Sequence, residues 1–404
     1  MRRAYTCRRN YAKVLKRIRN KDRSSKINVL FVVSDPVKWK CQKLYEAFMH
    51  DSRYSPIIGL SAWNVQSTMD DDELERHLTM AEAFFDMLED VHVRTVRVHP
   101  RAYFELSEFS PDIVIYNEQW LPSWNQWPGP VSRFALTFFI PYYVPDYANI
   151  EIDCMQKVER YSFGYITLSE AWSNLYYPHF GRWTSSARFI ACGHPSLDFF
   201  NGVVDLPVPH DGYVIYAPHF SIGYGGYKWH IMQGTFDWNG KAILQYAKDH
   251  PEIKWVFKPH PLFKKFLTKC GYMTENEISS YYSEWEEFAC CCYTGDYQDL
   301  FLKSRAMITD CGSFLAEYGA TGRPLIHLWS TLNSETPPQP SKRLWDEYYR
   351  VSNLDEMFDA FEMVLERNED PKRESRLQAV MELQLGGTNA SANILRYIRQ
   401  ITGR

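Results

Sequence analysis

The chain has 404 residues, 45% of them hydrophobic and 23% charged, which is enough for two globular cores and rules out a disordered or fibrous protein. Net charge is −4, yet residues 1–26 hold eleven Lys and Arg against one acid, a local +10 that leaves −14 for the rest. No apolar run approaches the roughly 18 residues of a membrane helix, and no apolar stretch or small-residue cleavage site follows the basic start, as a signal peptide requires.

Within that basic leader Tyr11, Val14, Leu15 and Ile18 fall on one helical stripe. A basic helix with a short apolar face reads as an anchor on an anionic membrane surface, and otherwise as a solvated leader. Nucleic acid is not expected, because the basic stretch is terminal and separate from the aromatic-rich body. The nine cysteines are odd in number and include no CxxC pair. They read as reduced thiols of a cytosolic protein, with Cys290–Cys292 on a buried strand.

From Ile27 onward, strand and helix signals alternate. Ile27–Val33 is a continuous apolar run that reads as a buried parallel strand. A helix at Lys38–His50, a strand at Ile57–Leu60 and a long helix at Asp70–Asp90 follow. Further strands are expected at Val93–Val98, Ile113–Tyr116, Phe134–Ile140, Tyr165–Leu168 and Arg188–Ala191. Asn117, Glu118 and Gln119 lie just beyond one strand's carboxyl end. Pro- and Gly-rich segments at Gly193–Pro195 and Leu206–Gly212 mark a boundary near residue 205.

The second half restarts the rhythm, with strands at Tyr213–Tyr216, Lys254–Lys258, Glu287–Tyr293, Ala306–Thr309 and Leu325–Leu328. Helices are expected at Gly240–His250, Asp296–Ser304, from Ser313, at Leu354–Asn368, Asp370–Arg376 and Ser391–Thr402. The fold class is therefore α/β: a leader (1–26) and two Rossmann-like, doubly wound domains (27–205 and 206–404) facing a central cleft, where open α/β sheets bind ligands.

Three strand ends of the second half carry the candidate chemistry. Asp310-Cys311-Gly312-Ser313 joins a strand to a helix, and such a turn offers unpaired N–H groups to a pyrophosphate. Glu317, one turn on, reads as a ribose contact or a solvated acid, and Ser313 as a ligand hydroxyl or a plain N-cap. Lys258-Pro259-His260-Pro261 ends another strand, its prolines stiffening a loop that holds a cation and a proton-transfer group. Tyr216-Ala217-Pro218-His219 ends a third and leads into Gly223, Gly225, Gly226, Lys228 and His230, a Gly-rich loop able to wrap phosphate without being a Walker loop. No metal-binding set is evident.

Taken in order, Gly193-His194-Pro195-Ser196-Leu197-Asp198, Tyr216-Ala217-Pro218, Lys258-Pro259-His260-Pro261 and Ile308-Thr309-Asp310-Cys311-Gly312-Ser313 resemble the CDP-glycerol glycerophosphotransferase family, the teichoic-acid and capsule polymerases of bacteria. The resemblance spans roughly 191–328. It implies a GT-B-like fold, a CDP-polyol donor with no further cofactor and no metal, and attack of an acceptor hydroxyl on the β-phosphorus with CMP leaving. On that basis His260 and His219 are catalytic candidates. Tyr216, Pro218, Lys258, Asp310, Gly312, Ser313 and Glu317 are donor-binding candidates.

The sequence departs from the family at three places. Ser221 stands where the family has Arg, Cys311-Gly312 replaces Tyr-Ser, and Phe139-Ile140-Pro141-Tyr142-Tyr143 occupies the place of a Trp-His-Gly-Thr motif. Glu118, Tyr142 and Asp146 are the acceptor-side candidates. The expected partners are a nucleotide-activated donor, a lipid-linked or saccharide acceptor, and an anionic membrane surface contacted through 1–26 at the inner face of the cell membrane. Two other readings are a GT-B glycosyltransferase or epimerase using a sugar nucleotide, and an inactive nucleotide-fold module that recruits polymer enzymes.

Overall fold

A computed structural model describes residues 2–60, 71–88, 95–96, 105–119, 124–144, 157–180, 185–203, 206–209, 211–223, 232–293, 297–331, 337, 339–383, 385 and 387–404. The chain divides into two compact units: Met1–Phe199 with Gln384–Arg404, and Phe200–Leu383.

The first unit is built on a parallel sheet of β1 (Ile27–Val33), β2 (Tyr54–Leu60), β3 (Thr95–Val96), β4 (Ile113–Tyr116), β5 (Leu136–Phe139), β6 (Gly164–Thr167) and β7 (Phe189–Ala191), in the order β3-β2-β1-β4-β5-β6-β7. Its central strands are almost wholly apolar because helices cover both faces of a parallel sheet. The second unit holds β8 (Tyr213–Ala217), β9 (Trp255–Phe257), β10 (Cys290–Cys291), β11 (Ser304–Thr309), β12 (Leu325–Leu328) and β13 (Tyr349–Val351), in the order β10-β9-β8-β11-β12-β13, all parallel. Each sheet is laid down outward from its first strand and then resumes on that strand's other side. The chain therefore reverses at β1/β4 in one unit and at β8/β11 in the other, and the carboxyl ends beside such a reversal are where open α/β sheets place ligands.

The basic leader is not a separate element. Helix Arg2–Arg19 packs onto the first unit, with Cys7, Tyr11, Val14 and Ile18 buried in the core and Leu15 half-buried against it. Each such side chain contributes about 1.5–3 kcal/mol when taken out of water. Tyr11 donates to Tyr161 O (2.9 Å) and shares a hydrogen bond with Thr137 (2.6 Å). Arg17 and Lys21 both pair with Asp112. An interfacial anchor needs its apolar stripe for the bilayer. Here the stripe expected to face a membrane surface faces the protein core instead. Among the described residues no helix is long and apolar enough to cross a membrane.

The C-terminal segment belongs to the first unit rather than to the second half of the chain. Helix Ala390–Thr402 buries Ile394, Leu395 and Ile398 in the first core. Asp198 accepts from Ala390 N and Ser391 N at 2.6 and 2.7 Å, satisfying two donors at that helix's start. Gly193, five residues before Asp198, has φ +84° and would place a Cβ 2.9 Å from Ala390 Cβ, so the turn requires glycine. His194 donates to Pro141 O (2.7 Å) and accepts from Ser196 (2.8 Å). The Gly193–Asp198 motif is thus the fastener for the C-terminal helix.

Two further expectations change. The cysteine triplet lies on and after a two-residue edge strand, with Cys290 exposed and Cys291 and Cys292 half-buried. All cysteines among the described residues are free thiols. Helix Gly312–Gly319 begins one residue earlier than expected, with Cys311 rather than Ser313 at the N-cap.

Candidate functional site

At the carboxyl edge of the second sheet, three strand ends are knitted together by the backbone. His260 N donates to Pro218 O (3.0 Å), which ties the end of β9 to that of β8. Asp310, just past β11, accepts from His219 N (2.6 Å), Thr235 N (2.7 Å) and Thr235 Oγ1 (2.8 Å). Burial outweighs these donors and pushes its carboxyl up to about 7. All three donors belong to the protein, so Asp310 and Pro218 position the site rather than touch a ligand.

The two histidines lie side by side, ring centroids 5.1 Å apart, with Phe220 packed against both. Leu262 N donates to His260 Nδ1 at 3.0 Å. Ser221 Oγ already accepts from Gln233 N (3.1 Å) and Gly234 N (3.3 Å), so its own proton goes to His219 Nδ1 at 2.7 Å. Both neutral rings therefore carry their hydrogen on Nε2. Burial, and then the Lys258 charge, lowers His260 to about 4; burial, and then His260, holds His219 well below the usual imidazole range. Near neutral pH the pair presents two uncharged N–H donors. Ser221, which replaces an Arg of the resembling family, ties the segment after β8 back onto itself.

Lys258 is buried, and among the described residues no carboxylate pairs with it. Its Nζ lies over the rings of Tyr297 (5.4 Å) and Phe314 (5.8 Å) and 3.8 Å from Cys292 Sγ. Ring faces offset part of the cost of burying an ammonium but leave its hydrogen-bonding capacity largely unmet.

The helix end at Gly312 differs from expectation. Gly312 N donates to Gln233 Oε1 (3.1 Å), and a Cβ on Gly312 would sit 2.7 Å from Gln233 Nε2. What the glycine admits is a protein carboxamide, so this N–H is not an open phosphate cradle. Ser313 is exposed at the second helical position.

Two donor-binding expectations fail because the side chains face inward. Tyr216 is a core residue that donates to Asn239 Oδ1 (3.1 Å) and packs on Phe257 and Trp285. Glu317 is buried and accepts from the Tyr297 hydroxyl, neither solvated nor turned outward to a ribose. Lys228 and His230, with Gly225 and Gly226, lie outside the described residues. Sequence reasoning missed Gln233, Thr235 and Tyr297, because only the folded chain brings them to the strand ends.

The first unit's reversal point carries Glu118. It is buried and accepts from Ser34 N (3.3 Å), from the Ser34 hydroxyl and from Lys38 Nζ (2.6 Å). Lys38 lies over the half-buried Tyr142 ring at 5.7 Å. Asn117 donates to Ile140 O (3.1 Å), while Asn117 Oδ1 and Gln119 Oε1 are buried with no hydrogen-bond partner among the described residues. Asp146 lies outside the described residues. Among the described residues no three His, Cys, Asp or Glu side chains gather as metal ligands.

No family model and no curated protein matches this sequence. Solved structures share its architecture. UDP-GlcNAc 2-epimerase of Neisseria meningitidis bound to UDP-GlcNAc is 13% identical, over 93% of this chain and 100% of that one, with a TM-score of 0.56. The wall teichoic acid polymerase TagF is 13% identical over 100% and 97%, at 0.55. A Staphylococcus aureus MnaA–UDP structure is 12% identical over 93% and 97%, at 0.52. The chain has the GT-B-like fold of these enzymes, with two Rossmann-like units. Likeness at this identity speaks for the fold, and chemistry has to be argued from the site.

Proposed function

We propose that the protein is a nucleotide-dependent transferase that moves a polyol phosphate from a CDP-activated donor to an acceptor hydroxyl. The donor diphosphate would lie at the carboxyl ends of β8, β9 and β11. The observation that carries this reading is Lys258, a buried ammonium without a carboxylate, beside two imidazoles held as neutral N–H donors. A diphosphate supplies the charge and the acceptor oxygens that this arrangement lacks. The acceptor oxygen would bond to the β-phosphorus while the bond from that phosphorus to the bridging oxygen breaks. That oxygen, with its electron pair, leaves as part of CMP, and the hydroxyl proton passes to solvent or to a base. In this tautomer His260 and His219 stabilise charge on phosphate oxygens, and neither has a free lone pair to act as base.

Calorimetric titration with CDP-glycerol, CDP-ribitol, UDP-GlcNAc and CMP-sugars, together with an assay of CMP release, tests the reading. Binding of a CDP-polyol and release of CMP support it; absence of any nucleotide binding sinks it in favour of a recruiting module. A sugar-nucleotide enzyme is the second reading, favoured by the UDP-GlcNAc-bound epimerase among the structures of the same architecture. The same ammonium and N–H donors would serve a UDP diphosphate, and UDP-GlcNAc turnover would select it.

A further inference from the structure

We propose that the outer face of helix Arg2–Arg19 is a docking track for a linear phosphodiester polyanion, the class of product that repeated transfer of polyol phosphate would build. The inference rests on the transferase reading above for the identity of that chain. The helix contains eight Lys and Arg and no acid. Its buried residues Cys7, Tyr11, Val14 and Ile18 fix which face is inside. Arg9, Lys13 and Lys16, spaced i, i+4, i+7, form one ridge on the opposite side, and all three are exposed.

Other cations of this segment are committed to holding the helix in place. Arg17 and Lys21 pair with Asp112, and Arg19 donates to Ile401 O. Arg8, Arg9, Lys13 and Lys16 have no ion pair among the described residues. Along the helix axis Arg9 and Lys13 are about 6 Å apart, and Lys13 and Lys16 about 4.5 Å. A ridge of single charges repeating at this interval complements a chain bearing one charge per repeat. A bilayer fits less well: the apolar stripe that would enter it is in the core, and Tyr5 is the one large apolar side chain this helix exposes among the described residues.

The test compares the full-length protein with Arg9→Gln/Lys13→Gln/Lys16→Gln and with the corresponding triple Glu variant, after circular dichroism has verified that each is folded. The probes are a synthetic poly(glycerol phosphate) of defined length, phosphatidylglycerol vesicles, and a single-stranded oligonucleotide of equal charge. Wild-type protein should bind the phosphodiester chain with an affinity that falls steeply with salt. Three lost contacts should lower the log–log salt slope by about 2 and the affinity at 0.1 M salt about a hundredfold. CMP release with a short acceptor should not change. Unchanged affinity in the triple Gln variant overturns the proposal, as does preference for the oligonucleotide or for vesicles over the soluble chain. Loss of CDP-polyol binding would strike the transferase reading alone, because binding of the chain is measured without donor.

Discussion

At the reversal point of the first sheet a carboxylate, Glu118, is held by a hydroxyl and an ammonium. Just past β9, one strand away from the second sheet's reversal point, an ammonium, Lys258, is held by two ring faces and a thiol. The strand order is the same and the charge arrangement is opposite. Glu118 has its counter-charge within the fold, so its charge is already compensated. Lys258 has none among the described residues, and the imidazoles beside it expose donors rather than lone pairs. A buried charge paired by its own protein serves structure first; one left unpaired near N–H donors has the charge a ligand of opposite sign would complement. Neighbouring Asn117 and Gln119 keep buried oxygens unpartnered among the described residues, so the first unit's edge is rich in acceptors where the second unit's is rich in donors.

The largest effect expected is on turnover. His260→Ala removes one N–H donor from the proposed phosphate site and should cut CMP release by about 10²–10³-fold with folding intact. Near-normal release would place His260 outside the site and leave the two edges without a functional contrast. Next comes stability in the first unit. Glu118→Gln strands Lys38 and should lower the free energy of unfolding by about 3 kcal/mol, with CDP-glycerol affinity unchanged by calorimetry. Lys258→Met should do the reverse. Apolar replacement of a buried cation leaves the urea midpoint equal or higher, while donor affinity falls about 30-fold, the worth of a charged hydrogen bond of about 2 kcal/mol. If Lys258→Met unfolds the protein and Glu118→Gln does not, the contrast between the two edges is inverted.

Gln233→Ala is a smaller test of the same edge. It frees Gly312 N–H and should cost about 1 kcal/mol of stability, as loss of a helix cap does. If the donor phosphates reach that helix end only when Gln233 moves aside, affinity for CDP should rise in this variant. An unchanged affinity would confine the phosphates to Lys258 and the histidines.

Wherever strands are apolar on both faces they could be read directly: β1, β4 and β12 begin and end where the sequence pattern puts them. Helix Glu275–Glu286 was not expected, although Thr274 and Glu277 form a capping box whose spacing is visible in the sequence. The location of the site at strand ends was also legible, since Pro and Gly mark those ends. Which side chains face a ligand was not. Tyr216 and Glu317 sit among site residues in the chain but point into the core, and burial is decided by what packs against them. Gln233 caps a helix 79 residues away, and Asp198 caps one 192 residues away. No local window contains both ends of such a contact.

The smallest effect concerns a histidine on the second sheet that is not among the strand-end residues. His327 on β12 packs edge-on against Trp329, Trp345 and Tyr348, with Nδ1 buried and unpartnered among the described residues. Burial, and then the Arg350 charge, lowers it to about 3. The native ring stays neutral while the unfolded chain takes up a proton below about pH 6.5. Its linkage therefore leaves stability whole above that pH and removes it as the pH falls toward about 3. His327→Phe keeps the ring packing and removes both the titration and the orphan nitrogen. The urea midpoint should rise by the equivalent of about 1 kcal/mol at pH 7, and the gap from wild type should widen at pH 5, with CDP affinity unchanged. Parallel pH profiles would mean that the acid sensitivity of this unit lies with His219 and His260, at the ligand edge itself.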